Sequence, residues 1–294
     1  MRGLVELAMR GPKQALILAV VFACIPMLFW VSAAIISLVI LRRGIREGMK
    51  LLLWALLPGI AWAAMGQFST VIGLIATVML ACVLRQTVSW QKTLLALLPV
   101  GSLVALAMAQ LAPQQVALLS DLVMKFIRDF LGQNVGQSGD SVSDIVVSLK
   151  PLVEYGVIGM LAWFNLVSCV LGLVLARSWQ AQLYNPGGFR EEFHGIRLPL
   201  TAAIGLLALT LAGTALAPYM IVVAPIATLP LLVAGLALIH GLVGIRHMGS
   251  FWLVSFYLLL IFVTQLAYPV IVLTACLDSL FDFRSRVAAR LHQG

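Results

Sequence analysis

Glu154 and Asn165 are the polar side chains of this chain best placed to do chemistry inside an apolar segment. They lie eleven residues apart, about three helical turns, and so on a similar face of one helix. Polar groups at membrane depth are costly and often functional. A carboxylate and an amide in this arrangement could bind a polar ligand or hand on a proton. Glu154 sits near the end of its segment, where a carboxylate bathed in water is the competing reading. Gln67, Gln110, His240 and Gln265 complete the polar set within apolar runs, with His240 close to Arg246 and His247 at a segment end. A proton relay needs a chain of ionisable groups across the membrane, and the sequence supplies none.

Two loop motifs form the second candidate set. In Tyr184-Asn-Pro-Gly-Gly-Phe-Arg-Glu-Glu-Phe193, the run Asn185, Pro186, Gly187, Gly188 predicts a tight turn. Phe189 and Phe193 then fall four apart and can anchor a short interfacial helix, leaving Arg190, Glu191 and Glu192 to water. In Leu277-Asp278-Ser-Leu-Phe-Asp282-Phe-Arg284, Asp278 and Asp282 share a helix face, and Arg284 can pair back to them. Capped and ion-paired helix ends explain both motifs. So does a surface that docks a cytoplasmic or membrane protein partner.

The familiar catalytic signatures are absent: no P-loop, HExxH, GxSxG or dinucleotide-binding glycine run occurs. Cys24, Cys82, Cys169 and Cys276 lie in apolar runs without CxxC or histidine spacing, which predicts packing residues and neither a metal site nor disulfides. No cofactor is expected, and an intramembrane enzyme has no supporting constellation.

The elements that must position these residues follow from composition. Of 294 residues, 62% are hydrophobic and 10% charged, against about 25% charged in a soluble domain. Mean hydropathy is +1.06. Apolar segments at about 14–41, 51–66, 69–84, 93–111, 151–176, 198–217, 220–243 and 250–277 predict an all-α polytopic bundle of about eight segments in one integral domain, residues 1–294. The net charge of +8 sits in short loops beside these segments, so it points to membrane orientation and anionic headgroups and away from nucleic acid.

The charges also test the topology. Arg2, Arg10 and Lys13 precede the first segment, and Arg42, Arg43, Arg46 and Lys50 follow it. Its 28 residues would make a helix about 42 Å long, too long for a ~30 Å core. Pro26 near its middle predicts a break and a hairpin that returns both clusters to one side. The same argument places a second break near Tyr268–Pro269. With both breaks, the inner loops 1–13, 42–50, 85–92, 177–197, 244–249 and 278–294 hold sixteen of the nineteen Lys and Arg. Lys125, Arg128 and Lys150 stay outside. Eight plain spans with a weaker charge bias are the alternative. The basic stretch before Ala15 resembles a signal peptide, yet the apolar run continues to Leu41 and reads as an uncleaved first segment.

Residues 112–150 form the long polar interval between spans. Pro113 opens it, and Val116, Leu119, Leu122, Val123, Phe126, Ile127 and Phe130 recur at helical spacing against Asp121, Lys125, Arg128 and Asp129. This predicts an outer interfacial helix ending at Gly132, a flexible link over 133–143, and a further helix from Ser141–Asp144 into Pro151. It is a connector, or a lid over an outward-facing cavity.

The 184–193 motif, the 277–284 motif and the Leu41-Arg-Arg-Gly44 turn together resemble the YybS-like family of bacterial polytopic membrane proteins. That resemblance implies a layout likened to the substrate-binding membrane subunits of energy-coupling-factor vitamin transporters, and it supplies no substrate. The expectation is a bacterial inner-membrane protein with both termini cytoplasmic. It serves in small-molecule transport or substrate capture, or else as a non-transporting scaffold or assembly factor acting through its cytoplasmic loops.

Overall fold

The computed structural model describes residues 2–134 and 139–292, all in helices or the turns between them. In chain order the helices are α1 (Arg2–Arg10), α2 (Pro12–Ala23), α3 (Phe29–Arg43), α4 (Ile45–Ala64), α5 (Ser69–Thr87), α6 (Trp90–Leu95) and α7 (Leu97–Leu111). They continue with α8 (Pro113–Asn134), α9 (Gly139–Tyr184), α10 (Gly188–His194), α11 (Leu200–Leu216), α12 (Val223–Ile245), α13 (Ser250–Phe262), α14 (Thr264–Phe281) and α15 (Phe283–His292). Among the described residues, six helical stretches are long and apolar enough to cross a membrane: 26–43, 69–87, 90–111, 146–184, 218–245 and 264–281. The chain is a multi-pass helical membrane protein.

Two helices organise the packing. On α3 every residue from Ser32 to Ile40 is buried, so it is apolar all round, as a helix wrapped by others must be. α2, α4, α5 and α9 surround it. α12 plays the same part for α7, α9, α11 and α14. The long α9 touches both clusters and joins the halves.

The first apolar segment is a hairpin. Ile25 takes an extended conformation, as a residue before proline prefers, and Pro26–Leu28 forms a single 3-10 turn. The α2 and α3 arms pack together, with Ser32 Oγ donating to the Ala19 carbonyl at 2.7 Å. At the open end Arg43 Nη2 donates to the Met9 carbonyl at 2.7 Å, so the two basic clusters meet at one end of the bundle.

The last apolar segment also turns back, but six residues earlier than the sequence suggests. Val263 leaves helical geometry (φ −122°, ψ 36°), while Pro269 lies inside α14. Thr264 Oγ1 donates to the carbonyls of Leu260 and Ile261 at 2.6 and 3.1 Å, satisfying the end of α13. Pro269 then forfeits one bond, to Gln265, in the second turn of α14, which is a tolerable loss. α14 runs parallel to α12: Tyr268 meets Thr228 through their hydroxyls, and Ile271 meets Gly235.

These reversals give the bundle a basic end. Arg85 at the end of α5 donates to the Ile40 and Leu41 carbonyls, both at 2.7 Å, and Arg42 covers the Tyr184 ring at 4.1 Å. The C-termini of α3, α5, α9, α12 and α14 therefore lie together with α10 and α15. At the opposite end, Gln115 Nε2 donates to the Gly66 carbonyl at 2.5 Å.

The polar interval is more helical than its composition suggests. α8 continues two residues past Gly132, and α9 already begins at Gly139 and passes through Pro151. Of the expected flexible link, residues 135–138 lie outside the described residues. α9 has 46 residues, about 69 Å of helix, far more than a ~30 Å core requires. α8 packs antiparallel on it. The face α8 turns to its neighbours is Val116, Ser120 and Met124, while Leu118, Leu122, Phe126 and Phe130 remain exposed. The pair is a two-helix arm with an apolar outer face.

Candidate functional site

The polar chemistry of the molecule converges on the basic end, around α10. The Asn185–Gly188 turn closes as expected, with Gly188 N–H donating to the Asn185 carbonyl at 3.1 Å and Gly187 at φ 91°. α10 follows, with the Phe189 and Phe193 rings 5.7 Å apart. Phe189 packs edge-on against Trp90, and Phe193 against His240 at 5.4 Å. Arg190 and Glu191 face water, but Glu192 does not: it is half-buried in a bidentate pair with Arg177, whose Nε lies 2.9 Å from Oε2. The guanidinium at the end of α9 draws it under the turn.

The second motif comes back onto the same loop. Arg197, which the sequence pattern leaves unmarked, joins the two. Its Nη1 pairs with Asp282 Oδ2 at 2.8 Å, and its Nε and Nη2 donate to the Asp278 and Ser279 carbonyls, both at 3.1 Å. Arg284 answers from α15: Nη2 donates to the Ile196 carbonyl at 2.7 Å and lies 3.7 Å from Asp278 Oδ2. Asp278 is 2% exposed, and its Oδ1 accepts the Phe283 N–H at 3.0 Å. Asp282 stands in the left-handed region at φ 50° and accepts the Ser285 N–H at 3.3 Å, capping α15. These contacts, together with Ser285 and Arg284, hold the Asp282 carboxyl below the usual carboxylate range. Asp278, Asp282 and Arg284 thus lock α10, α14 and α15 into one platform.

Two of the cavities beside this platform are near 500 Å³. One, of about 510 Å³, is lined by Arg85, Gln91, Arg177, Gln180 and Glu192 between α5, α6 and α9. The other, of about 490 Å³, lies between α10, α12 and α13, with Arg190, His194, His240, Ser250 and Tyr257 among its walls. His240 Nδ1 meets the Leu236 carbonyl at 2.9 Å, which turns Nε2 toward the Tyr257 hydroxyl at 3.4 Å. His194 sits 6.4 Å from His240, ring to ring.

Burial, then the charges of Arg190, His240 and Arg284, push the His194 pKa below the ordinary histidine value. The unfolded chain therefore takes up this proton at higher pH than the folded one. The associated stability is complete above about pH 6.5 and is lost as pH falls through the folded value. In detergent, the thermal midpoint of the protein should drop between about pH 7.5 and 5.5. His194→Gln should flatten that slope, as a melting series at fixed ionic strength will read.

Glu154 and Asn165 lie elsewhere. Asn165 is 5% exposed in the middle of α9, where Nδ2 donates to the Leu161 carbonyl at 3.0 Å and Oδ1 has no partner. Glu154 is half-buried nearer the opposite end. Neither lines a cavity described above. An unpartnered buried oxygen costs about 1–3 kcal/mol. Asn165→Leu should therefore raise stability by about 1 kcal/mol in thermal unfolding if the amide has no ligand.

Comparison with family models, with curated proteins and with solved structures found no match for this chain.

Proposed function

We propose that this chain captures a small molecule at its basic face, as a binding component or carrier in transport, without catalysing a reaction. By the positive-inside rule, that face is cytoplasmic in a bacterial inner membrane, with both termini on it. The likeness to the YybS-like family belongs to the same proposal. The observation that carries the reading is the pair of cavities beside α10, each near 500 Å³, the first walled by Arg85, Arg177, Gln91, Gln180 and Glu192 and the second by Arg190, two histidines and aromatic rings. Sites of about 300–1,000 Å³ with a few convergent polar groups suit small ligands. The helical hairpin α13–α14 supports it, since no residue of α13 is buried and the helix can yield to a ligand arriving from the bilayer.

A second reading, docking of a cytoplasmic partner, draws on the exposed lip Asn185, Pro186, Gly187, Arg190 and Glu191. Against it, Asp278, Asp282 and Arg284 spend their hydrogen bonds inside the platform. The test is a melting screen of the purified protein against metabolites and lipids, followed by uptake of any stabilising compound into proteoliposomes. At least one chemical class should raise the thermal midpoint, and Phe193→Ala should weaken that rise. No stabilising class and no uptake, with a specific crosslinked protein at Asn185, would replace capture with docking.

A further inference from the structure

We propose that the cavity between α10, α12 and α13 binds the phosphate of an anionic lipid, held by Arg190, His194 and Tyr257 while the tail lies on the cavity's apolar wall. The inference rests on the capture reading and names its substrate class. Charge is the first argument. The lining carries Arg190, His194 and His240 and no carboxylate. Among the described residues no acid pairs with Arg190, whereas Arg177, Arg197 and Arg284 each have one. Arg284 stands just behind His194, adding a further positive charge. A guanidinium without an acid partner, beside the His194 imidazole and the Tyr257 hydroxyl, is a donor set that fits phosphate oxygens.

The wall is the second argument. Val174, Phe189, Phe193, Val243, Met248 and Leu253 form the apolar side of the cavity. A soluble phosphate compound would leave those side chains uncovered, whereas a lipid covers them. Position is the third. The cavity opens where α13 begins, and Phe251, Trp252 and Val254 on that helix are exposed. This is the membrane boundary at the basic end, where headgroups lie. Gly244 makes the approach close: a Cβ there would come within 2.7 Å of the His194 ring.

The test is native mass spectrometry and titration of the purified full chain with phosphatidylglycerol. Phosphatidylcholine with the same tails and inorganic phosphate serve as the two comparisons. The expected result is one retained phosphatidylglycerol per chain, bound about tenfold more tightly than phosphatidylcholine, and about tenfold weaker binding in Arg190→Gln. Arg286→Gln, at the same end but outside the cavity, should bind as the parent does. Equal binding of the two lipids, or equal loss in both arginine variants, would overturn the proposal by showing diffuse attraction to the basic face. Displacement of the lipid by inorganic phosphate at matching concentration would overturn the lipid source in favour of a soluble phosphate. Should Arg190→Gln fail to fold, Tyr257→Phe carries the same expectation. A screen that finds another stabilising class, with no phosphatidylglycerol bound, leaves capture standing and removes this inference alone.

Discussion

Gly235→Ala is expected to destabilise the protein by about 3 kcal/mol, at the upper end of the usual cost of overpacking. In the membrane, helices associate through close packing, because lipid tails are as apolar as the side chains they would replace. At Gly235 the approach is extreme. An added Cβ would stand 2.5 Å from Ile271 Cγ2 and 2.6 Å from the Ile271 carbonyl oxygen. The side chain can rotate away, but the backbone oxygen cannot, so α12 and α14 must separate. That separation also strains the contact between Thr228 and Tyr268 higher on the same pair. At about 2 °C per kcal/mol, the thermal midpoint should fall by at least ~6 °C. Gly205→Ala is the control, since nothing lies within 4 Å of its Cβ position. It should leave stability unchanged or slightly raised by better helix propensity. Equal behaviour of the two variants would mean that α12 and α14 do not pack as described.

Arg284→Met is expected to cost about 3–5 kcal/mol, the range for removing one partner of a buried ion pair. The Arg284 and Asp278 side chains are 12% and 3% exposed. Losing the guanidinium strands the Asp278 carboxylate and frees the Ile196 carbonyl that Arg284 holds. The Asp278→Asn, Arg284→Met double variant should recover at least half of the loss, because Asn still accepts the Phe283 N–H and carries no charge. Thermal unfolding of the two single variants and the double variant reads this directly. Additive losses would show that the pair does not join α14 to α15.

The parts of this fold that could be read from the chain are those set by charge and hydropathy. Sixteen basic residues flanking apolar runs favoured fold-backs in the first and last segments over plain spans, and both segments turn back. Pro26 marked its turn because it opens a 3-10 turn, where a missing N–H costs nothing. Pro269 misled because a helix absorbs a proline near its start, and the true reversal at Val263 carries neither proline nor glycine to mark it. α8 showed its helical period, but its packed side is chosen by α9, and so the Leu122 and Phe126 stripe faces outward.

The site divides along the same line. The 184–193 and 277–284 motifs were visible because glycine turns and spaced acids are local patterns. Their union was not, since Arg197 lies more than eighty residues from Asp282 in sequence and no periodicity links them. His194 and Tyr257 stood out little as single residues and gained meaning when α12 and α13 brought them around His240. Glu154 and Asn165 drew attention because they are rare, and rarity carries no information about which neighbours they meet.

The most direct test of the central claim, that both fold-back hairpins gather the termini and α10 on one face, is cysteine accessibility in sealed vesicles. Single cysteines would replace Arg10, Asn185, Gly249, Arg290 and Gln114 on a cysteine-free background. The first four are expected to label together from one side and Gln114 from the other. Labelling of Arg290 with Gln114 would contradict the reversal at Val263, and labelling of Arg10 with Gln114 would contradict the hairpin at Pro26.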